Sequence, residues 1–137
     1  MSTSTAIFWP MMAQALLTYA IYALGSYRRI GAVKAGKARP SDFRIPSVEP
    51  EPSASAIRNL SNQFELPVLF FVACLSLYVT SGAGTVAVVL AWAFVAARVA
   101  HSYVHVTTNR IRIRRPLFIL GYFINLLLWL LLAFHIA

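Results

Sequence analysis

Arg58, Asn62 and Glu65 are spaced i, i+4 and i+7, and Arg98, His101, Ser102 and His105 follow the same rule further along the chain. In a helix each set shares one face. Arginine supplies donors only, a carboxylate accepts, and Asn and His do either, so two such faces brought together offer what a polar ligand needs. His101 and His105 also have the i, i+4 spacing of two zinc ligands. The intervening Glu of that motif is missing, and Arg58 and Arg98 would repel a cation, so no metal site is expected.

The elements that must position these residues lie in lipid. Of the 137 residues 59 % are hydrophobic and 12 % charged, where a soluble domain has about 45–50 % and about 25 %. That surplus cannot be hidden behind the polar surface of one small domain. A disordered chain or a nucleic-acid-binding tail is excluded on the same ground, and Cys74, being alone, forms no intrachain disulfide.

Four spans are expected, over about 6–27, 55–80, 85–107 and 116–137, as one all-α, integral membrane four-helix bundle. Ala6–Tyr27 carries no charge and is long enough to cross about 30 Å of hydrocarbon. Ala13-Gln14-Ala15 resembles a signal cleavage site, but Met1–Thr5 lacks a basic region, which favours a retained helix. The second helix is expected to be continuous, capped by Ser53 or Ser55. Ser81–Gly84 is a tight turn, and Pro116 suits the first turn of the last helix.

Arg28, Arg29, Lys34, Lys37, Arg39 and Arg44 fall between the first two helices, and Arg110, Arg112, Arg114 and Arg115 between the last two. By the positive-inside rule both loops are cytoplasmic and both termini lie on the other side. The net charge of +8 is then mostly a signal of orientation. The loop over 28–54, with Pro40, Pro46, Pro50 and Pro52, reads as a flexible connection or as a lid. The compact chain, without a targeting signal beyond its first helix, points to a bacterial inner membrane rather than the endoplasmic reticulum.

Charges inside a span are costly and by default mark function. Counted from the 81–84 turn, Glu65 lies about 22 Å deep and Arg98 about 20 Å deep. They are level, and an ion pair is expected. Such a pair could simply hold helices together, but Arg58, Asn62, His101 and His105 add more polar groups than pairing requires. His135 reads as an interfacial residue.

The stretch Arg58-Asn59-Leu60-Ser61-Asn62-Gln63-Phe64-Glu65-Leu66-Pro67 resembles the signature of the membrane-associated proteins in eicosanoid and glutathione metabolism, the MAPEG family, and Arg98-Val99-Ala100-His101-Ser102 is similar to the matching stretch of its synthases. The resemblance implies a homotrimer of four-helix subunits binding glutathione near the cytoplasmic side, with a lipophilic co-substrate arriving from the bilayer. Arg58, Asn62, Glu65 and Arg98 would line the glutathione site, with His101 and His105 where synthases place tyrosines. Arginines suit its carboxylates and Glu65 its ammonium. A guanidinium near the start of the fourth helix would favour the thiolate. Arg112, Arg114 and Arg115 compete for that role; counting from Arg98 along the pattern of the family's synthases selects Arg114, and closeness to the helix dipole favours Arg115.

The expected function is a membrane glutathione transferase or peroxidase acting on lipophilic electrophiles or lipid hydroperoxides. Two alternatives stand beside it. One is a non-catalytic lipid-binding scaffold of the same fold, as the family also contains. The other is a small proton-coupled exporter using Glu65, which a level Arg98 disfavours by holding that carboxylate ionised.

Overall fold

The structure is a computed structural model describing residues 4–45 and 48–137, so Pro46 of the proline-rich loop and Met1–Thr3 lie outside the described residues. Helix α1 spans Phe8–Lys34 after a short turn at Thr5–Ile7; α2 is Glu51–Asn62, α3 Leu66–Val79, α4 Thr85–Val106 and α5 Ile111–Ile136. No strand occurs among the described residues. With α2 and α3 taken as one interrupted rod, four helical segments are long and apolar enough to cross a membrane.

One end of the bundle is tied together by its own backbone. Ser4 N–H donates to the Ala83 carbonyl (2.9 Å), and its hydroxyl accepts from the Ala6 N–H. His135 Nε2 lies 2.8 Å from the Thr80 carbonyl. Both described termini therefore sit beside the 81–84 turn. Helix α3 ends there with Ser81 in the left-handed region (φ 64°), while the Gly82 N–H closes back on the Leu77 carbonyl at 2.7 Å. A Cβ at Gly82 would come within 2.6 Å of the exposed His135 ring, which would have to shift to admit it.

The dry core lies between that turn and the middle of the bundle. Ala83, Ala87 and Ala91 recur every fourth residue and are fully buried, which lets α4 approach its neighbours closely. Phe70 of α3 stacks on Phe94 of α4 at 4.4 Å between centroids. Leu16, Tyr19, Val79, Val89 and Leu127 instead project outward, the surface lipid requires.

The helix ends depart from the sequence expectations in three places. Helix α1 runs past Tyr27 to Lys34, because Arg28 and Arg29 are good helix formers once the rod leaves lipid. It stops where Gly36 takes φ 69° and Lys37 N–H bonds to the Ala32 carbonyl. Helix α2 begins at Glu51 after Pro50, so neither serine is its cap. Ser53 is buried and donates to Glu49 (2.6 Å). Helix α5 starts at Ile111 and takes Pro116 into its interior, not its first turn. The missing N–H there leaves the carbonyl of Arg112 unpaired, and Arg112 is exposed to solvent, so the loss is small.

The expected continuous second helix is broken at Gln63–Glu65. Pro67 has no N–H for the Gln63 carbonyl and its ring would strike that carbonyl, so the chain turns through tighter bonds, Gln63 N–H to Leu60 and Phe64 N–H to Ser61. The loop between α1 and α2 folds along α1. Arg29 donates two bonds to Glu49 (2.8 and 2.7 Å), and its guanidinium lies 5.2 Å from the Phe43 ring centre.

Candidate functional site

A cleft of about 280 Å³ opens at the end of the bundle away from the 81–84 turn. Its walls are Arg58 and Asn62 of α2, His101 and His105 of α4, and Ile111, Arg114, Arg115 and Phe118 of α5. Six of the residues singled out in the sequence thus converge on one space. A second cleft of about 520 Å³ shares Arg58, His105 and Arg114 and adds Glu51, Ser55 and Asn109. No described residue of the 35–48 loop lines either cleft.

Helical spacing does most of the positioning. Arg58 and Asn62 are one turn apart on α2, and His101 and His105 one turn apart on α4. Arg114 is carried by the first turn of α5, where its Nη1 donates to Asn109 Oδ1 at 2.5 Å. Arg28 of α1 braces the floor by donating to Ser55 Oγ (2.9 Å) and to the Val106 carbonyl at the end of α4 (2.5 Å). Of the three arginines near the start of α5, Arg114 and Arg115 line the cleft and Arg112 does not.

The expected Glu65–Arg98 ion pair is not formed. Among the described residues the only bridge within 4.0 Å joins Arg29 to Glu49. The break before Pro67 takes Glu65 off the α2 face that carries Arg58 and Asn62 and leaves it exposed at the head of α3. Glu65 therefore acts on Arg98 only through space. Arg98 is 1 % exposed, and its Nη2 reaches only the Asn62 carbonyl (3.4 Å). Its Nε and Nη1 have no partner among the described residues. Neither Glu65 nor Arg98 lines the two clefts.

Sequence reasoning missed a buried chain of amides behind the cleft. Gln14 of α1 donates to Gln63 (3.0 Å), Gln63 donates to Asn59 (3.0 Å) and Ser102 (3.1 Å), and Asn59 lies 3.1 Å from His105 Nδ1. On α5, Asn125 donates to the Leu66 carbonyl at 3.0 Å, satisfying a group freed by the helix break. The available signal was Gln14 and Asn125 themselves, lone amides in apolar spans. Gln14, moreover, is fully buried and tied to Gln63 at the end of α2.

No three His, Cys, Asp or Glu side chains gather to hold a metal among the described residues. The fold and the cleft together define an integral membrane four-helix bundle with a cationic, histidine-lined hollow at one end. The chain belongs to the MAPEG family, whose model matches residues 6–134. It is thereby a membrane protein of a family associated in general with glutathione and generally trimeric. No curated protein and no solved structure matches the chain.

Proposed function

We propose that this protein is a membrane glutathione transferase or peroxidase in which the Arg58–Arg114 cleft receives glutathione as co-substrate. The observation that carries the reading is the convergence of Arg58, Arg114 and Arg115 on a hollow whose wall contains no acid. Such a hollow favours an anion, and the guanidinium fork matches a carboxylate. In the adjoining cleft Glu51, rather than Glu65, is placed to meet an ammonium. The unpaired donors of Arg98 supply further attraction for negative charge near Asn62.

In this reading the glutathione thiol gives up its proton to solvent water beside Arg114, whose charge and position in the first turn of α5 both favour the thiolate. The sulfur lone pair then attacks the electrophilic carbon of a lipophilic substrate, forming the C–S bond as the leaving group departs with its electrons. The apolar outer surface of the bundle is the route by which such substrates arrive from lipid. The cleft end, with its basic loops, faces the cytoplasm of a bacterial inner membrane, both termini lie on the opposite side, and the working form is a homotrimer.

Protein purified in detergent is expected to bind glutathione saturably by calorimetry and to conjugate it to a chlorodinitrobenzene-type electrophile. Arg114→Ala should lower turnover by about tenfold to a hundredfold while changing glutathione affinity less, the pattern for a group acting on the reacting sulfur. Absence of saturable binding ends the reading. Binding without turnover would favour a lipid-binding scaffold instead. A mass in detergent near three times 15.2 kDa, after allowance for bound detergent, tests the trimer.

A further inference from the structure

The buried amides behind the cleft share one orientation in the structure. The terminal nitrogen of Gln63 lies 3.3 Å from the backbone carbonyl of Asn59. The two hydrogens of that nitrogen go to Asn59 Oδ1 and Ser102 Oγ, and an oxygen in its place would face the carbonyl oxygen with no hydrogen between them, which favours this flip of Gln63. Its other terminal atom is then Oε1, which receives the bond from Gln14 Nε2. The same Gln63 nitrogen stands 3.0 Å from the side chain of Asn59, whose facing atom must therefore be the oxygen. That turns Asn59 Nδ2 toward His105, where it meets ring atom Nδ1 at 3.1 Å, and Asn62 Nδ2 approaches the same atom at 3.5 Å. Asn59 Nδ2 thus donates to Nδ1. That ring nitrogen must be bare, and the neutral ring carries its proton on Nε2.

Nε2 makes no hydrogen bond among the described residues, and His105 lines both clefts together with Arg58 and Arg114. Gln14, Asn59, Gln63 and His105 are each at most 2 % exposed, so the relay is shut away from bulk water. We propose that Gln14, Gln63 and Asn59 form a tautomer lock, which makes His105 a hydrogen-bond donor through Nε2–H to an anionic atom bound in the cleft. The opposite tautomer would present a lone pair there and repel such an atom. Asn59 and Gln63 are positioning residues, acting on the ligand only through His105. The identity of that ligand, a carboxylate or thiolate of glutathione, rests on the proposed function; the lock itself does not.

The test uses the full chain in detergent, with ¹⁵N-labelled histidine and magnetic resonance of the ring nitrogens at neutral pH, His105 being assigned from the signal lost in His105→Gln. Wild-type His105 is expected to carry its proton on Nε2 alone. Asn59→Asp keeps the shape but replaces the donor by an acceptor, and should draw a proton onto Nδ1. Gln63→Met frees the flip of Asn59 and should give a mixture of tautomers, a second reading should the first variant fail to fold. By calorimetry His105→Gln, whose amide nitrogen can stand in for Nε2–H, should bind glutathione about tenfold more tightly than His105→Phe.

A wild-type proton on Nδ1, or an Nε2 proton indifferent to both relay variants, overturns the lock. Equal glutathione binding by His105→Gln and His105→Phe overturns the donor role. An Nε2 proton that Asn59→Asp relocates, in a protein that binds no glutathione, upholds the lock and defeats the proposed function.

Discussion

Arg98 is buried at a cost. A guanidinium shut inside a helix bundle loses its hydration, and among the described residues one long bond to the Asn62 carbonyl leaves two of its donor atoms unpaired. Replacing such a charge by an apolar side chain of similar length removes that penalty. Arg98→Met is therefore expected to raise the thermal midpoint of the unliganded protein, by the equivalent of about 1–3 kcal/mol, while weakening glutathione binding. Thermal unfolding in detergent with and without glutathione checks both halves, and a variant destabilised in both states contradicts the account. The level depths of Glu65 and Arg98 on two neighbouring spans pointed to a polar interior, but spacing along the chain could not show that Glu65 would lie beyond a break.

At the scale of elements, the interruption between α2 and α3 and the strap between α1 and α2 do the positioning. Glu49 anchors the strap. Two hydrogen bonds from Arg29 hold its carboxyl below the ordinary carboxylate range, and Ser53 adds a third. Because the folded value is depressed, the stabilisation is complete above that range and is lost as pH falls through the folded value. Arg29 is 33 % exposed, so screening limits the pair to about 0.5–1 kcal/mol. Glu49→Gln is expected to lower the thermal midpoint at neutral pH by that amount and to remove the corresponding acid-side loss. The variant and wild type should converge in acid, and parallel pH curves would contradict the assignment.

Over the whole molecule, polarity is segregated along the bundle axis. The end near the 81–84 turn is dry and packed by alanines and stacked phenylalanines, and the other holds the amide relay and the clefts. Phe94, fully buried against Phe70, is the centre of the dry end. Phe94→Ala should cost about 3–5 kcal/mol through lost contacts and a cavity, read as a fall in thermal midpoint with glutathione affinity little changed. A loss of affinity at unchanged stability would show that the two ends are not separable in this way.

The sequence by itself determined the four spans, the placement of the basic loops at one end, and six of the cleft residues, because apolar length and i, i+4 spacing are local properties set by lipid thickness and helical pitch. It could not determine which polar groups meet. Pro67 breaks the helical phase and removes Glu65 from the polar face, and α5 starts early enough to carry Arg114 and Arg115 onto the cleft wall. The path Gln14–Gln63–Asn59–His105 joins α1, the end of α2 and α4, and a hydrogen bond across elements depends on approach and orientation. Those are decided only when the helices pack.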